Sequence, residues 1–211
     1  MRLVMPRLYV ILDAGLMKDS AEQTAKQLID AGVRMFQYRS KRGAARETLE
    51  VSRKLAETAA AAKAAFFVND RADIAYLAGA TGVHVGQTDL SVEEARELLG
   101  IGKWIGVSTH NEEQFRTAME TTADYVAIGP VFATKSKENP DPVVGLEFVR
   151  RMRRLTDKPI VAIGGMTPAR AAEAVEAGAD SVSVMGDILT AANPGERAQE
   201  FLRVLRIEQA N

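Results

Sequence analysis

Short apolar runs alternate with amphipathic stretches along the whole of this chain. Eight runs read as strands, over residues 8–13, 35–39, 65–70, 82–87, 104–109, 125–130, 159–164 and 181–186. Between them, apolar residues recur at helical spacing over 21–31, 46–62, 92–99, 114–121, 146–155 and 169–177, and a last helical pattern covers 196–205. Strands that each lead into a helix imply parallel pairing, with helices covering the sheet. Phe66-Phe67-Val68 and Tyr125-Val126-Ala127-Ile128 are nearly continuous apolar runs, as strands buried on both faces require.

One turn chemistry recurs. Ala31-Gly32-Val33, Ala78-Gly79-Ala80 and Ala177-Gly178-Ala179-Asp180 each stand between a helical pattern and a strand, and Thr122-Ala123-Asp124 does so without the glycine. Glycine past the last helical turn is a stop signal. The repeated junction predicts one layered architecture across residues 1–211, a single-domain (β/α)8 TIM barrel. An open doubly wound sheet is the alternative, and it requires a reversal of strand order.

After the seventh strand comes Gly164-Gly165-Met166-Thr167-Pro168. Two glycines let backbone N–H groups approach a ligand. Thr167 reads as an N-cap with Pro168 at the first helical position. In a barrel this is a common place for a phosphate. An ordinary tight turn is the alternative for the glycine pair alone.

Composition narrows the chemistry. Of 211 residues, 46% are hydrophobic and 26% charged, an ordinary soluble balance. The net charge of −1 gives no global field toward nucleic acid or anionic membrane, so an anion site must be local. There is no cysteine, which removes disulfides, thiolate metal sites and thiol nucleophiles. The start of the chain is broken by Pro6 too early for a signal peptide, and no apolar run reaches membrane-spanning length. The expectation is a cytoplasmic protein, with self-association left open.

In α/β folds of either kind, function sits at the carboxyl ends of the strands. There stand Gln37-Tyr38-Arg39-Ser40-Lys41, Asn69-Asp70, Gly86-Gln87-Thr88-Asp89, Ser108-Thr109-His110, Thr134-Lys135-Ser136-Lys137, Gly164-Gly165 and Met185-Gly186-Asp187. Arg39 and Lys41, two apart in extended chain, face one side and suit phosphate oxygens; scattered loop cations are the plainer reading. Asp70 and Asp89 suit Mg²⁺, which takes hard oxygen ligands. Capping of the following helices is the stronger reading of either residue alone. The long loop 131–145 suits a lid or an unremarkable surface connection. His84 reads as a structural barrel residue, and His110 as either a site residue or decoration of a helix start.

Together these segments, with Val83-His84-Val85, Gly106-Val107 and Gly129-Pro130-Val131-Phe132-Ala133, resemble the thiamine phosphate synthase (thiamine-phosphate pyrophosphorylase) family over nearly the whole chain. The resemblance implies a transferase that joins hydroxymethylpyrimidine diphosphate to hydroxyethylthiazole phosphate and releases diphosphate. It implies that Gln37, Arg39, Lys41, Asn69 and Ser108 hold the pyrimidine diphosphate, and that Asp70 and Asp89 bind Mg²⁺. Thr134, Ser136 and Gly165 would hold the thiazole phosphate, with Met185 and Gly186 beside them, and Lys137 would bridge toward the diphosphate. Arg39, Lys41, Ser108 and Lys137 are the expected catalytic groups. The chain departs from the family at Ser136, where a second threonine is usual, and at Gly186, where a serine is usual. A sister thiazole tautomerase, with His110 moving a proton, and a non-catalytic phosphate-binding barrel are the alternatives.

Overall fold

The computed structural model describes residues 5–134 and 141–206. Eight parallel strands close into one barrel in chain order, β1 (Leu8–Asp13), β2 (Met35–Arg39), β3 (Ala65–Asn69), β4 (Gly82–Val85), β5 (Trp104–Thr109), β6 (Tyr125–Ile128), β7 (Ile160–Ile163) and β8 (Ser181–Val184). The seam is a β1–β8 pairing with Leu8 opposite Val182 and Val10 opposite Val184, which removes the doubly wound alternative. The helices are α1 (Ala21–Asp30), α2 (Ala45–Ala61), α3 (Ala72–Leu77), α4 (Val92–Leu99), α5 (Glu112–Glu120), α6 (Gly145–Arg153), α7 (Pro168–Glu176), α8 (Gly186–Leu189) and α9 (Pro194–Arg206). Among the described residues no helix is long and apolar enough to cross a membrane.

Alternation along the strands divides the core in two. Leu8, Val10 and Leu12 pack outward with Phe36, Phe66 and the helices. Tyr9, Met35, Phe67, Tyr125, Ala127 and Val161 fill the interior. Gly106 on β5 makes room there: a Cβ at that position would lie 2.0 Å from the Tyr125 ring. The interior is therefore packed around a tyrosine where most barrels carry branched aliphatics.

Local signals explain the helix starts. Ser20 and Ser91 cap α1 and α4 in reciprocal boxes with Gln23 and Glu94. Thr167 caps α7, with Pro168 in its first turn. Gly32, Gly79 and Gly178 sit just past helix ends at positive φ, as their recurrence predicts. Two expectations fail. Asp70 caps nothing: the N-cap of α3 is Arg71 and makes no side-chain cap bond, while Asp89 is displaced from the α4 cap by Ser91. After the eighth strand a short helix, α8, begins at Gly186 and ends at Leu189.

Candidate active site

The strand carboxyl ends surround a cavity of about 590 Å³. Every described residue assigned to the site from sequence lines it; Ser136 and Lys137 lie outside the described residues.

One side is built by β2, β3 and β4. Arg39 ends β2 in register with Asp13 at the end of β1, and its guanidinium pairs with that carboxylate. Asp13 is 8% exposed, so it fixes Arg39 while most of the five guanidinium donors stay available. Lys41 Nζ lies 2.5 Å from Asp70 Oδ2. Asp70 has left-handed backbone, φ 63°, a conformation that aspartate tolerates better than most residues. Asp89 Oδ2 accepts the Gly86 N–H at 2.7 Å. Burial, and then the neighbouring Asp70 carboxylate, raise the Asp89 pKa above the ordinary aspartate range, against the Gly86 hydrogen bond and the Lys41 charge. Two carboxylates thus confront each other beside cations. Among the described residues no group of three or more His, Asp or Glu gathers; Asp70 and Asp89 offer two carboxylates side by side.

A polar chain runs through the barrel interior below. Gln37 Nε2 donates to Tyr9 Oη at 2.6 Å, and Tyr9 Oη lies 3.2 Å from Tyr125 Oη. His84 contacts Tyr125 Oη through Nδ1 at 2.9 Å and Ser108 Oγ through Nε2 at 2.8 Å. His84 stands in the barrel interior, as its mid-strand position predicts, and it also lines the cavity and reaches Ser108. Asn69, at the end of β3, lines the cavity beside this chain.

The other side is built by β6, β7 and β8. Gly164 and Gly165 have φ of 102° and 63°. A Cβ on Gly165 would lie 2.4 Å from the Ala133 carbonyl oxygen, so glycine lets the β6 and β7 loops touch. Val131 N–H bonds the Ile163 carbonyl, and Phe132 N–H the Gly164 carbonyl. Arg170 of α7 donates to the Gly165 carbonyl at 2.8 Å and lies 4.9 Å above the Phe132 ring. Thr134, Gly165, Met185 and Gly186 face the cavity here. Gly186 is not among the positive-φ glycines. Asp187 pairs with Arg197 of α9 at 2.7 Å, which offsets its charge toward an anion. His110 Nδ1 meets the Gly129 carbonyl at 2.6 Å, and Nε2 stands 3.5 Å from Asp141. A carbonyl only accepts, so the Nδ1 proton is committed. That weighs against His110 as a proton shuttle.

Asp13, Tyr9, Tyr125 and Arg170 escape the sequence reading. Asp13 carries a usable signal, since it ends the first apolar run at the level of the other strand-end polar residues. The tyrosines and Arg170 carry none, because their contacts depend on register and loop packing.

A barrel whose strand carboxyl ends surround one cavity with two chemically distinct walls is a (β/α)8 protein with its ligand cavity in the usual place for that fold. A family model described as thiamine monophosphate synthase matches residues 8–188, and the chain belongs to that family. It is 51% identical over 208 residues to the thiamine-phosphate synthase of Koribacter versatilis, covering 96% of this chain and 97% of that one. It is 37% identical to the thiamine-phosphate synthase of Chloroflexus aurantiacus, covering 96% and 94%. The solved thiamine phosphate pyrophosphorylase from Pyrococcus furiosus superposes with a TM-score of 0.87 at 29% identity, covering 95% and 96%.

Proposed function

We propose that this chain condenses hydroxymethylpyrimidine diphosphate with hydroxyethylthiazole phosphate to give thiamine phosphate and diphosphate. The observation that carries the reading is the division of one cavity into a wall of Arg39, Lys41 and confronting carboxylates and a wall of glycine backbone. Each wall suits one phosphorylated partner. The family membership and the 51% identical relative support the same reaction.

The reaction breaks the bond between the pyrimidine methylene carbon and its diphosphate oxygen, and forms one from that carbon to the thiazole nitrogen. The electron pair leaves with the diphosphate. The pyrimidine amino group feeds electrons to the methylene, so the protein needs to supply no nucleophile. Its tasks are to stabilise departing charge, hold the thiazole nitrogen close and exclude water. Arg39 and Lys41 face the diphosphate, and Asn69, Ser108 and Gln37 orient the pyrimidine half. Thr134 and the N–H groups of Gly165 and Gly186 receive the thiazole phosphate, with Met185 as an apolar neighbour.

The confronting carboxylates fit a divalent cation, because a dication offsets both the burial and, after it, the Asp70 repulsion that raise the Asp89 pKa. Asp70 and Asp89 would hold Mg²⁺, whose other ligands come from phosphate and water. When bound, it supplies positive charge to the leaving diphosphate.

The test is diphosphate release with each substrate alone and with both, with Mg²⁺ and after chelation. Release that needs both substrates and the metal is expected. Release with the pyrimidine diphosphate alone at the full rate, or no release under any condition, would refute the condensation.

A further inference from the structure

The chain Gln37–Tyr9–Tyr125–His84–Ser108 has a direction. A carboxamide nitrogen only donates, so at Gln37 Nε2 the Tyr9 oxygen accepts. Tyr9 is 1% exposed. Among the described residues its oxygen meets only Gln37 and Tyr125. An unpaired buried hydroxyl proton is costly, so the Tyr9 proton points to the Tyr125 oxygen. Tyr125, fully buried, then donates its O–H to His84 Nδ1, which accepts. The ring proton of His84 is left on Nε2, which donates to Ser108 Oγ. Ser108 keeps its own proton for the cavity it lines. The reverse arrangement strands the Tyr9 proton in the barrel interior.

We propose that His84, Tyr125 and Tyr9 are positioning residues that commit the Ser108 hydroxyl to donate into the cavity, toward an anionic oxygen of the bound diphosphate. The geometry holds them in place. The His84 and Tyr125 rings stack at 5.5 Å and 27°, and Gly106 admits the Tyr125 ring. Burial raises the pKa of both phenols, so each keeps its proton and donates it only as a hydrogen bond. A donor fixed in advance spends no reorganisation when negative charge develops on the leaving group.

The choice of diphosphate as acceptor rests on the function proposed above; the direction of the chain does not. Two measurements separate them. The first is long-range ¹H–¹⁵N correlation on ¹⁵N-histidine protein at neutral pH. The chain has two histidines, and the His84 set is the one lost in His84→Asn. A neutral ring protonated on Nε2 is expected; a proton on Nδ1, or on both nitrogens, overturns the proposal. This readout uses the wild-type protein without substrate. The second is a double-mutant cycle on the KM for the pyrimidine diphosphate. Tyr125→Phe keeps the ring, and Tyr125 is not among the cavity-lining residues. It should raise this KM about three- to tenfold, the scale of one neutral hydrogen bond, and leave the KM for the thiazole phosphate unchanged. In a Ser108→Ala background the same substitution should add nothing. Additive losses overturn the proposal, because they mean that Tyr125 acts by a route other than Ser108. An Nε2-protonated His84 combined with wild-type pyrimidine kinetics in Ser108→Ala supports the direction and refutes diphosphate as its acceptor.

Discussion

Arg170 holds two loops at once, and its removal should be felt by one substrate only. Its guanidinium donates to the Gly165 carbonyl at 2.8 Å and covers the Phe132 ring at 4.9 Å. A hydrogen bond from a charged donor contributes about 1.5–3 kcal/mol, and a partly exposed cation–π contact about 0.5–1 kcal/mol. About 2–4 kcal/mol therefore joins the β7 turn to the loop that carries Thr134. If all of it were lost from ligand binding, affinity would fall by roughly 30- to 700-fold, at about 1.4 kcal/mol per decade. The backbone bonds from Val131 to Ile163 and from Phe132 to Gly164 remain, so the loops keep much of their relation. Arg170→Ala should then raise the KM for the thiazole phosphate about tenfold and leave the pyrimidine diphosphate KM within about twofold. Arg170→Lys, which keeps the charge without the planar stack, should fall between. The assay is initial-rate diphosphate release with each substrate varied in turn, beside urea unfolding to record stability. An unchanged thiazole KM, or equal shifts for both substrates, would refute the clamp.

Asp89→Asn should lower turnover by roughly 10²-fold, as expected for about 3 kcal/mol of lost transition-state stabilisation, and weaken the response to added Mg²⁺; wild-type metal dependence would remove Asp89 from the metal site. Gly186→Ser should tighten thiazole phosphate by a factor of about 2 to 13, one neutral hydrogen bond. The backbone there is not left-handed, so weaker binding by equilibrium titration would show that position 186 does not meet the phosphate. Gly106→Ala should destabilise by at least about 1–3 kcal/mol, since its Cβ would overlap the Tyr125 ring; an unchanged urea midpoint would contradict the packing.

The alternating pattern on its own gives strand number, most of the helices and the end of the barrel that carries the cavity. It overruns the strand ends, however. The apolar-to-polar pattern runs on to Asp70 and Gly164, while β3 and β7 stop at Asn69 and Ile163, because both following residues turn into the left-handed region. Helix α3 is missed for a related reason: it has six residues and no capping side chain. The cavity lining is legible wherever it consists of strand-end residues, as at Arg39, Lys41, Asp70 and Asp89. It is illegible where it depends on which way a doubly buried strand faces. Tyr9 and Leu8 are equally apolar in pattern, yet one fills the barrel and the other packs under the helices.

Closing the seam between β1 and β8 also bears on how the chain survives its own synthesis. In a closed barrel no strand offers free backbone donors and acceptors to a neighbouring molecule. Until β8 is made, β1 has pairing only on its β2 side, and so does its β7 counterpart at the growing end. A chain cut short before Ser181 would carry two adhesive borders at once, each rich in buried-type residues. Such fragments should self-associate by strand addition, whereas the finished barrel has no border left to share.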